Sequence, residues 1–205
     1  MSRGRYVVLE GGEGVGKSTQ VARLAARLAE HGIDARTLRE PGGDPFAEAG
    51  RTLLLGDVPR APETEVLMFN ALRAQLLVAV VRPLLDAGTW VLSDRSRLST
   101  IAYQGYGHGV DLDWARDACA LTARLAAPDL EVVLEVDPAE ADLRRSARGI
   151  SDRFEELDGA FHRRVVDGYA TEARRQGLPV VDGGGTEDAV EERLWVHVAP
   201  LLGAG

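Results

Sequence analysis

Gly11-Gly12-Glu13-Gly14-Val15-Gly16-Lys17-Ser18, continued by Thr19, fills the pattern G-x-x-x-x-G-K-[ST] at every required position. Ahead of it, Arg5-Tyr6-Val7-Val8-Leu9-Glu10 reads as a short buried strand. Behind it, Val21, Leu24, Ala25 and Leu28 recur at helical spacing. Strand, glycine loop and helix in that order decide the fold class. The glycines remove Cβ atoms so that backbone N–H groups can face an anion, and the new helix adds the positive end of its dipole. Lys17 is the only lysine of the chain: taking it from the 24 basic residues leaves 23 arginines. A compact ammonium on a flexible stem reaches phosphate oxygens between glycines, where a planar guanidinium is hard to seat.

Outward from the loop, apolar runs at residues 33–38, 90–93, 131–136 and 179–181 alternate with helical patterns at 64–87, 112–126, 160–176 and 187–202. The alternation predicts an α/β fold with a parallel sheet, whose ligands gather at the carboxyl ends of the strands. The unusual residues fall there. Arg39-Glu40-Pro41-Gly42-Gly43 follows the second strand, Asp94-Arg95-Ser96 the third, Asp137-Pro138 the fourth and Gly183-Gly184-Gly185 the fifth. The glycine triplet fits equally a turn before the last helix, with Thr186 as N-cap, and a contact to a nucleotide base.

Two hundred and five residues, 45% of them hydrophobic and 27% charged, suit one domain over 1–205 with a substantial core. The longest apolar stretch ends at Arg82, short of a bilayer span. The first residues lack the layout of a signal peptide, so a cytoplasmic location is expected. Cys119, the single cysteine, reads as a buried packing residue. A net charge of −8 disfavours broad attraction to nucleic acid, so any phosphate site must be built locally. His31, His108, His162 and His197 are scattered singly and read as surface or packing residues.

Read in order along nearly the whole chain, several motifs resemble those of the bacterial thymidylate kinases, within the nucleoside monophosphate kinases. They are the 11–18 loop, Arg39 to Gly43, Leu67-Met68-Phe69 with Arg73, Asp94-Arg95, Leu98-Ser99-Thr100 with Ala102-Tyr103-Gln104-Gly105, and Arg148-Gly149 leading to Asp152-Arg153-Phe154-Glu155. The resemblance implies a three-layer P-loop kinase fold, with a five-stranded parallel sheet flanked by helices and a short arginine-rich lid at about 143–156. It also implies a homodimer, ATP with Mg2+ as donor, and dTMP as acceptor.

Phosphoryl transfer to a phosphate needs no strong base; its difficulty is repulsion between two polyanions. The loop motif gives Lys17, and the resemblance implies Arg95 with the lid arginines Arg148 and Arg153, as the expected catalytic set. The ATP loop is Gly11, Gly12, Glu13, Gly14, Val15, Gly16, Lys17, Ser18 and Thr19. Ser18 and Asp94 are the expected magnesium residues; Asp137 also ends a strand, but the resemblance favours Asp94, and Pro138 beside Asp137 looks like a helix start. By resemblance, Arg95, Arg39 and Arg51 meet the acceptor phosphate, Phe69 stacks on the pyrimidine and Arg73 meets a base carbonyl. Ser99, Thr100, Tyr103 and Gln104 contact base and sugar, Tyr103 crowding the 2′ side. Glu13 would only repel ATP, so it is assigned to the acceptor's 3′-hydroxyl or to nearby arginines. One division of the family carries a catalytic arginine in the phosphate loop; here Gly14 follows the loop acid, so the lid must supply that charge.

Ser96 and Asp44 depart from the family's usual aromatic or histidine and hydroxyl residue. A deoxynucleoside kinase would need a base near a 5′-hydroxyl, for which Glu40 or Asp94 are the candidates. A guanine-reading switch is excluded by the single lysine; an ATP-dependent switch is the remaining alternative of another class.

Overall fold

The computed structural model describes residues 3–148, 153–154 and 157–203, the side chain of Arg148 excepted. Five parallel strands, β1 (Tyr6–Glu10), β2 (Ala35–Arg39), β3 (Trp90–Asp94), β4 (Leu130–Glu135) and β5 (Val180–Asp182), form one sheet in the order β2-β3-β1-β4-β5. Each lies within two residues of its expected position. β1 is buried along its length, and its alternation sends Val7 and Leu9 to one face and Tyr6 and Val8 to the other.

On the first face, α1 (Lys17–Glu30) and α9 (Glu187–Val198) pack Leu24, Leu28, Leu194 and Val198 against Val7, Leu9, Leu92 and Leu134. Each such fully buried side chain contributes about 1.5–3 kcal/mol. On the second face, Tyr6, Val8 and Val91 meet Leu76, Leu77, Val81 and Leu85. These last four belong to a continuous helical run made of α3 (Pro62–Leu76), a π-helical turn (Leu77–Val81) and α4 (Arg82–Asp86). The widened turn lies directly before Pro83, which has no N–H to donate and whose ring would crowd a tighter helix.

This run, Pro62–Asp86, is long and apolar enough to cross a membrane by length and composition, more than the sequence pattern suggested; yet 44% of its apolar window is buried inside the fold. It also carries the buried charges Glu65 and Arg73, which make it a core helix of this domain.

The remaining elements surround the strand ends. They are α2 (Pro45–Leu55), α5 (Arg97–Thr100) running into a second π-helical segment (Ile101–Gly107), α6 (Leu112–Ala123), α7 (Pro138–Arg148), α8 (Gly159–Gln176) and a closing 3-10 turn (Ala199–Gly203). β3 and β4 flank β1, so the loops leaving their carboxyl ends part and open a crevice there. Asp94 is in register with Leu9 on one side and Arg39 on the other, which brings the tips of three strands together. Of the expected lid, residues up to Arg148 belong to α7; residues 149–152 and 155–156 lie outside the described residues.

Candidate active site

The loop between β1 and α1 is shaped by left-handed glycines: Gly11, Gly14 and Gly16 have φ of 137°, 78° and 93°. A Cβ on Gly14 would stand 2.5 Å from the carbonyl oxygen of Ala141, so the loop backs directly onto α7. Helix α1 has no side-chain cap and no acidic residue in its first turn, which leaves its leading N–H groups for an anion. Lys17 donates from Nζ to the carbonyl oxygen of Gly12 at 2.7 Å. Burial, then the charge of Arg95, pulls its pKa from 10.5 down to about 8 against the opposing pull of Asp94, Glu13 and Glu10.

Ser18 donates its hydroxyl to Asp94 Oδ2. The other oxygen, Asp94 Oδ1, is buried without a hydrogen-bond partner. Asp137, the competing carboxylate, accepts the N–H of Ala139 at 2.9 Å and so caps the start of α7.

Arg95 is the one non-glycine residue with positive φ among those described, at 74°, a strained conformation for a side chain of its size. Its guanidinium donates to Gly11 O at 3.0 Å, Tyr169 Oη at 2.9 Å, Ser99 Oγ at 3.3 Å and Tyr103 Oη at 3.2 Å, and pairs with Glu13. Burial alone would loosen its proton; Glu13, with Tyr103, Tyr169 and Asp94 behind it, reverses that and holds the pKa well above the ordinary arginine value. Thus the acid inside the phosphate loop is matched by an arginine at the mouth of β3.

Glu10, fully buried, accepts the backbone N–H groups of Ser96, Leu98 and Ser99 at 2.8, 3.1 and 3.3 Å and the Ser99 hydroxyl at 2.6 Å. It caps α5 from 86 residues away and so fixes the turn that carries Arg95. The departure Ser96 takes part here: its hydroxyl donates to Glu40 Oε1 at 3.2 Å. Asp44, the other departure, caps α2 through the Ala47 N–H at 2.9 Å.

Arg73 is 3% exposed and points toward the same crevice. Nε donates to Glu40 Oε2 at 2.6 Å, Nη1 to Asn70 Oδ1 at 3.0 Å, and Nη2 to Ser96 O at 3.0 Å and Thr100 Oγ1 at 2.9 Å. Phe69, one turn earlier, lies with its ring 6.3 Å from that of Phe154. Tyr103 donates to Glu13 Oε1 at 2.8 Å and meets Phe154 edge to face at 5.8 Å. Gln104 donates from Nε2 to Glu65 Oε2 at 3.0 Å. Arg51 donates to Pro41 O at 2.8 Å, and Arg39 to Glu48 Oε2 at 3.3 Å.

Together these residues line one cleft of about 400 Å³ that runs from Lys17, Ser18 and Thr19 past Asp94 and Arg95 to Phe69, Arg73 and Gln104. Gly14, Gly16 and Glu13 lie along it, whereas the Val15 side chain turns into the core. Arg153 donates to Glu65 Oε1 at 2.5 Å with its guanidinium 4.9 Å from the Phe154 ring centroid. Arg148 ends α7, its side chain outside the described set. The sequence reading missed Glu10, Glu65 and Tyr169, and passed over Arg144, which donates to Gly14 O at 3.5 Å and Gly183 O at 3.1 Å. Gly183 itself donates to Glu135 O at 2.6 Å, and Thr186 caps α9. Cys119 is buried, which raises its thiol pKa. His108 and His162 sit against Phe161, and His31 against Trp195.

A parallel sheet, a glycine loop feeding an uncapped helix, a buried lysine and a cleft shared with arginines and an aromatic ring define a P-loop nucleotide-binding phosphotransferase. Known proteins narrow this further. The model of the thymidylate kinase family matches residues 9–194. The thymidylate kinase of Deinococcus radiodurans is 42% identical over 202 residues, covering 97% of this chain and 98% of its own. That of Thermomicrobium roseum is 41% identical over 204 residues, covering 98% and 97%, and that of Carboxydothermus hydrogenoformans 42% over 194 residues, covering 94% of both. The chain belongs to the thymidylate kinase family. It is a kinase, and the reaction is the ATP-dependent phosphorylation of dTMP to dTDP.

Proposed function

We propose that the cleft holds ATP and dTMP end to end, the donor phosphates on the 11–19 loop and the thymine beside Phe69, Arg73 and Gln104, with transfer taking place between Lys17 and Arg95. One observation carries this reading: the phosphate loop and the Phe69–Arg73 face border the same cavity. Lys17, Arg95, Arg148 and Arg153 offset the charge of the transferring group, and Arg39 and Arg51 assist Arg95 at the acceptor phosphate. Tyr103 stands at the sugar's 2′ side, with Ser99 and Thr100 beside it. Glu13 acts mainly as the counter-charge that aims Arg95.

Magnesium fits the residues present. The partnerless Asp94 Oδ1 next to the Ser18 hydroxyl supplies hard oxygen donors, and a magnesium ion completes its shell with phosphate oxygens and water, so it needs no larger carboxylate cluster. Among the described residues no group of three His, Cys, Asp or Glu side chains is placed to hold a metal alone. Ser18 and Asp94 would hold the ion, which would supply positive charge against the donor phosphates.

A single domain over 1–205, a cytoplasmic location and a homodimer belong to the same reading. The dimer is supported by exposed Leu67 and Val78 on the run Pro62–Asp86, and sedimentation tests it. The net charge of −8 argues against a nucleic acid polymer as partner, and the burial of the apolar helix against a membrane. The deciding experiment is ADP release from Mg-ATP in parallel with dTMP, dUMP, thymidine and no acceptor, identifying the product. Conversion with dTMP to the diphosphate is expected; turnover with thymidine alone overturns the reading.

A further inference from the structure

We propose that Glu65 is the positioning residue that decides which pyrimidine edge the site accepts, acting through Gln104. The inference rests on the placement of the base beside Gln104. Glu65 is 1% exposed on α3. Its two oxygens are divided: Oε1 receives Arg60 at 3.1 Å and Arg153 at 2.5 Å, whereas Oε2 receives Gln104 Nε2 at 3.0 Å.

A carboxylate only accepts hydrogen bonds, so it must face the NH₂ end of the Gln104 amide. That removes the usual freedom of an amide to turn over. The carbonyl end is thereby committed to the opposite direction, and Gln104 Oε1 is buried without a hydrogen-bond partner in a residue that borders the cleft. An orphaned buried acceptor calls for a donor. Thymine and uracil present an imide N–H at ring position 3. Cytosine presents a bare nitrogen there, an acceptor facing an acceptor. Glu65 therefore converts an ambiguous amide into a fixed acceptor, selecting imide bases over cytosine without touching the nucleotide. Sites built to bond a substrate N–H reject analogues lacking it far more strongly than apolar pockets separate sizes.

Glu65→Gln tests this, because a second amide can accept as well as donate and lets Gln104 turn over. Binding of dTMP and dCMP is measured by calorimetry and their kcat/KM values compared in wild type, Glu65→Gln, Gln104→Leu and the double variant, with folding checked by circular dichroism. The expected result is a roughly tenfold to hundredfold fall in preference for dTMP over dCMP in Glu65→Gln, with the KM for ATP little changed. In the Gln104→Leu background the preference has already fallen, and adding Glu65→Gln changes it no further. An undiminished preference in Glu65→Gln overturns the inference, as does an equal further fall in the double variant, which would route the effect through Arg153 instead. If Gln104→Leu itself keeps the wild-type preference, the base is not at Gln104 and the underlying reading fails first. Should Glu65→Gln not fold, Glu65→Asp gives the same readout: it keeps the charge for Arg60 and Arg153 but draws the carboxylate back from Nε2.

Discussion

Tyr103 donates its hydroxyl to Glu13 Oε1 across 2.8 Å, tying the π-helical segment to the phosphate loop. The bond leaves the Tyr103 ring to pack edge-on against Phe154, Phe161 and Tyr169. Tyr103→Phe deletes the bond and keeps the ring. Leaving Glu13 and Arg95 one partner short costs about 1–2 kcal/mol, a fall in Tm of a few degrees. Preference for deoxyribose over ribose survives in Tyr103→Phe and is lost in Tyr103→Ala, read from kcat/KM with dTMP and its ribose counterpart. Loss of the preference in the phenylalanine variant would assign it to the hydroxyl.

Lys17 is a source of instability in the nucleotide-free protein. Its folded pKa of about 8 lies below the ordinary 10.5. Between those values the unfolded chain holds a proton that the folded chain lacks, so this group makes stability rise with pH across that window; below it the full cost stands, on the order of 3 kcal/mol. Lys17→Met therefore melts above wild type at pH 7, and the gap closes toward pH 10.5. ATP affinity runs the other way, since phosphate needs the ammonium form: it weakens above about pH 8 in wild type and loses that dependence in Lys17→Met. A melting difference that is flat with pH would contradict the assignment.

The pair Arg73–Glu40 is almost wholly buried at 2.6 Å. Burial pushes the Glu40 carboxyl up, and Arg73 holds it back. Removing one member strands the other: Glu40→Ala is expected to cost about 3–5 kcal/mol in urea unfolding and to raise the KM for dTMP through a misplaced Arg73. A loss below about 1 kcal/mol would mean that the pair behaves like a surface contact.

Arg153→Ala separates binding from turnover. In the free protein Arg153 rests on Glu65, so its loss barely changes ATP affinity, while kcat falls by about 10²-fold or more, in line with the charge an arginine lends to phosphoryl transfer. Single-turnover kinetics with a parallel ATP titration checks both halves; equal kcat in the variant removes Arg153 from the mechanism.

The strand, glycine loop and helix around residues 11–19 were legible because their pattern is local: spacing, glycine and lysine mark the loop, and the flanking periodicities supply strand and helix. Phe69 and Arg73 were placed on one face by a separation of four. Glu10 was invisible by contrast. As the last residue of an apolar run it reads as a strand end, and its role depends on Ser96, Leu98 and Ser99, some 86 to 89 positions on. Glu65 hides near the start of a long, largely apolar helical run for the same reason, because burial of a carboxylate and the arrival of Arg60, Gln104 and Arg153 are properties of the packed fold. The π-helical turns leave almost no trace, since one widened turn hardly alters the apolar period that marks a helix.

Gly14, whose missing side chain lets the loop press on α7, also limits the routes by which such an enzyme can change. Placing an arginine there, as the other division of the family does, meets the backbone of Ala141 and a left-handed φ of 78° at once. The substitution becomes tolerable only after α7 has moved outward, and α7 ends at Arg148, one of the cations proposed above to serve the transfer. A steric barrier thus stands between a glycine and an arginine at this position, and it is crossed only by rebuilding loop and helix together.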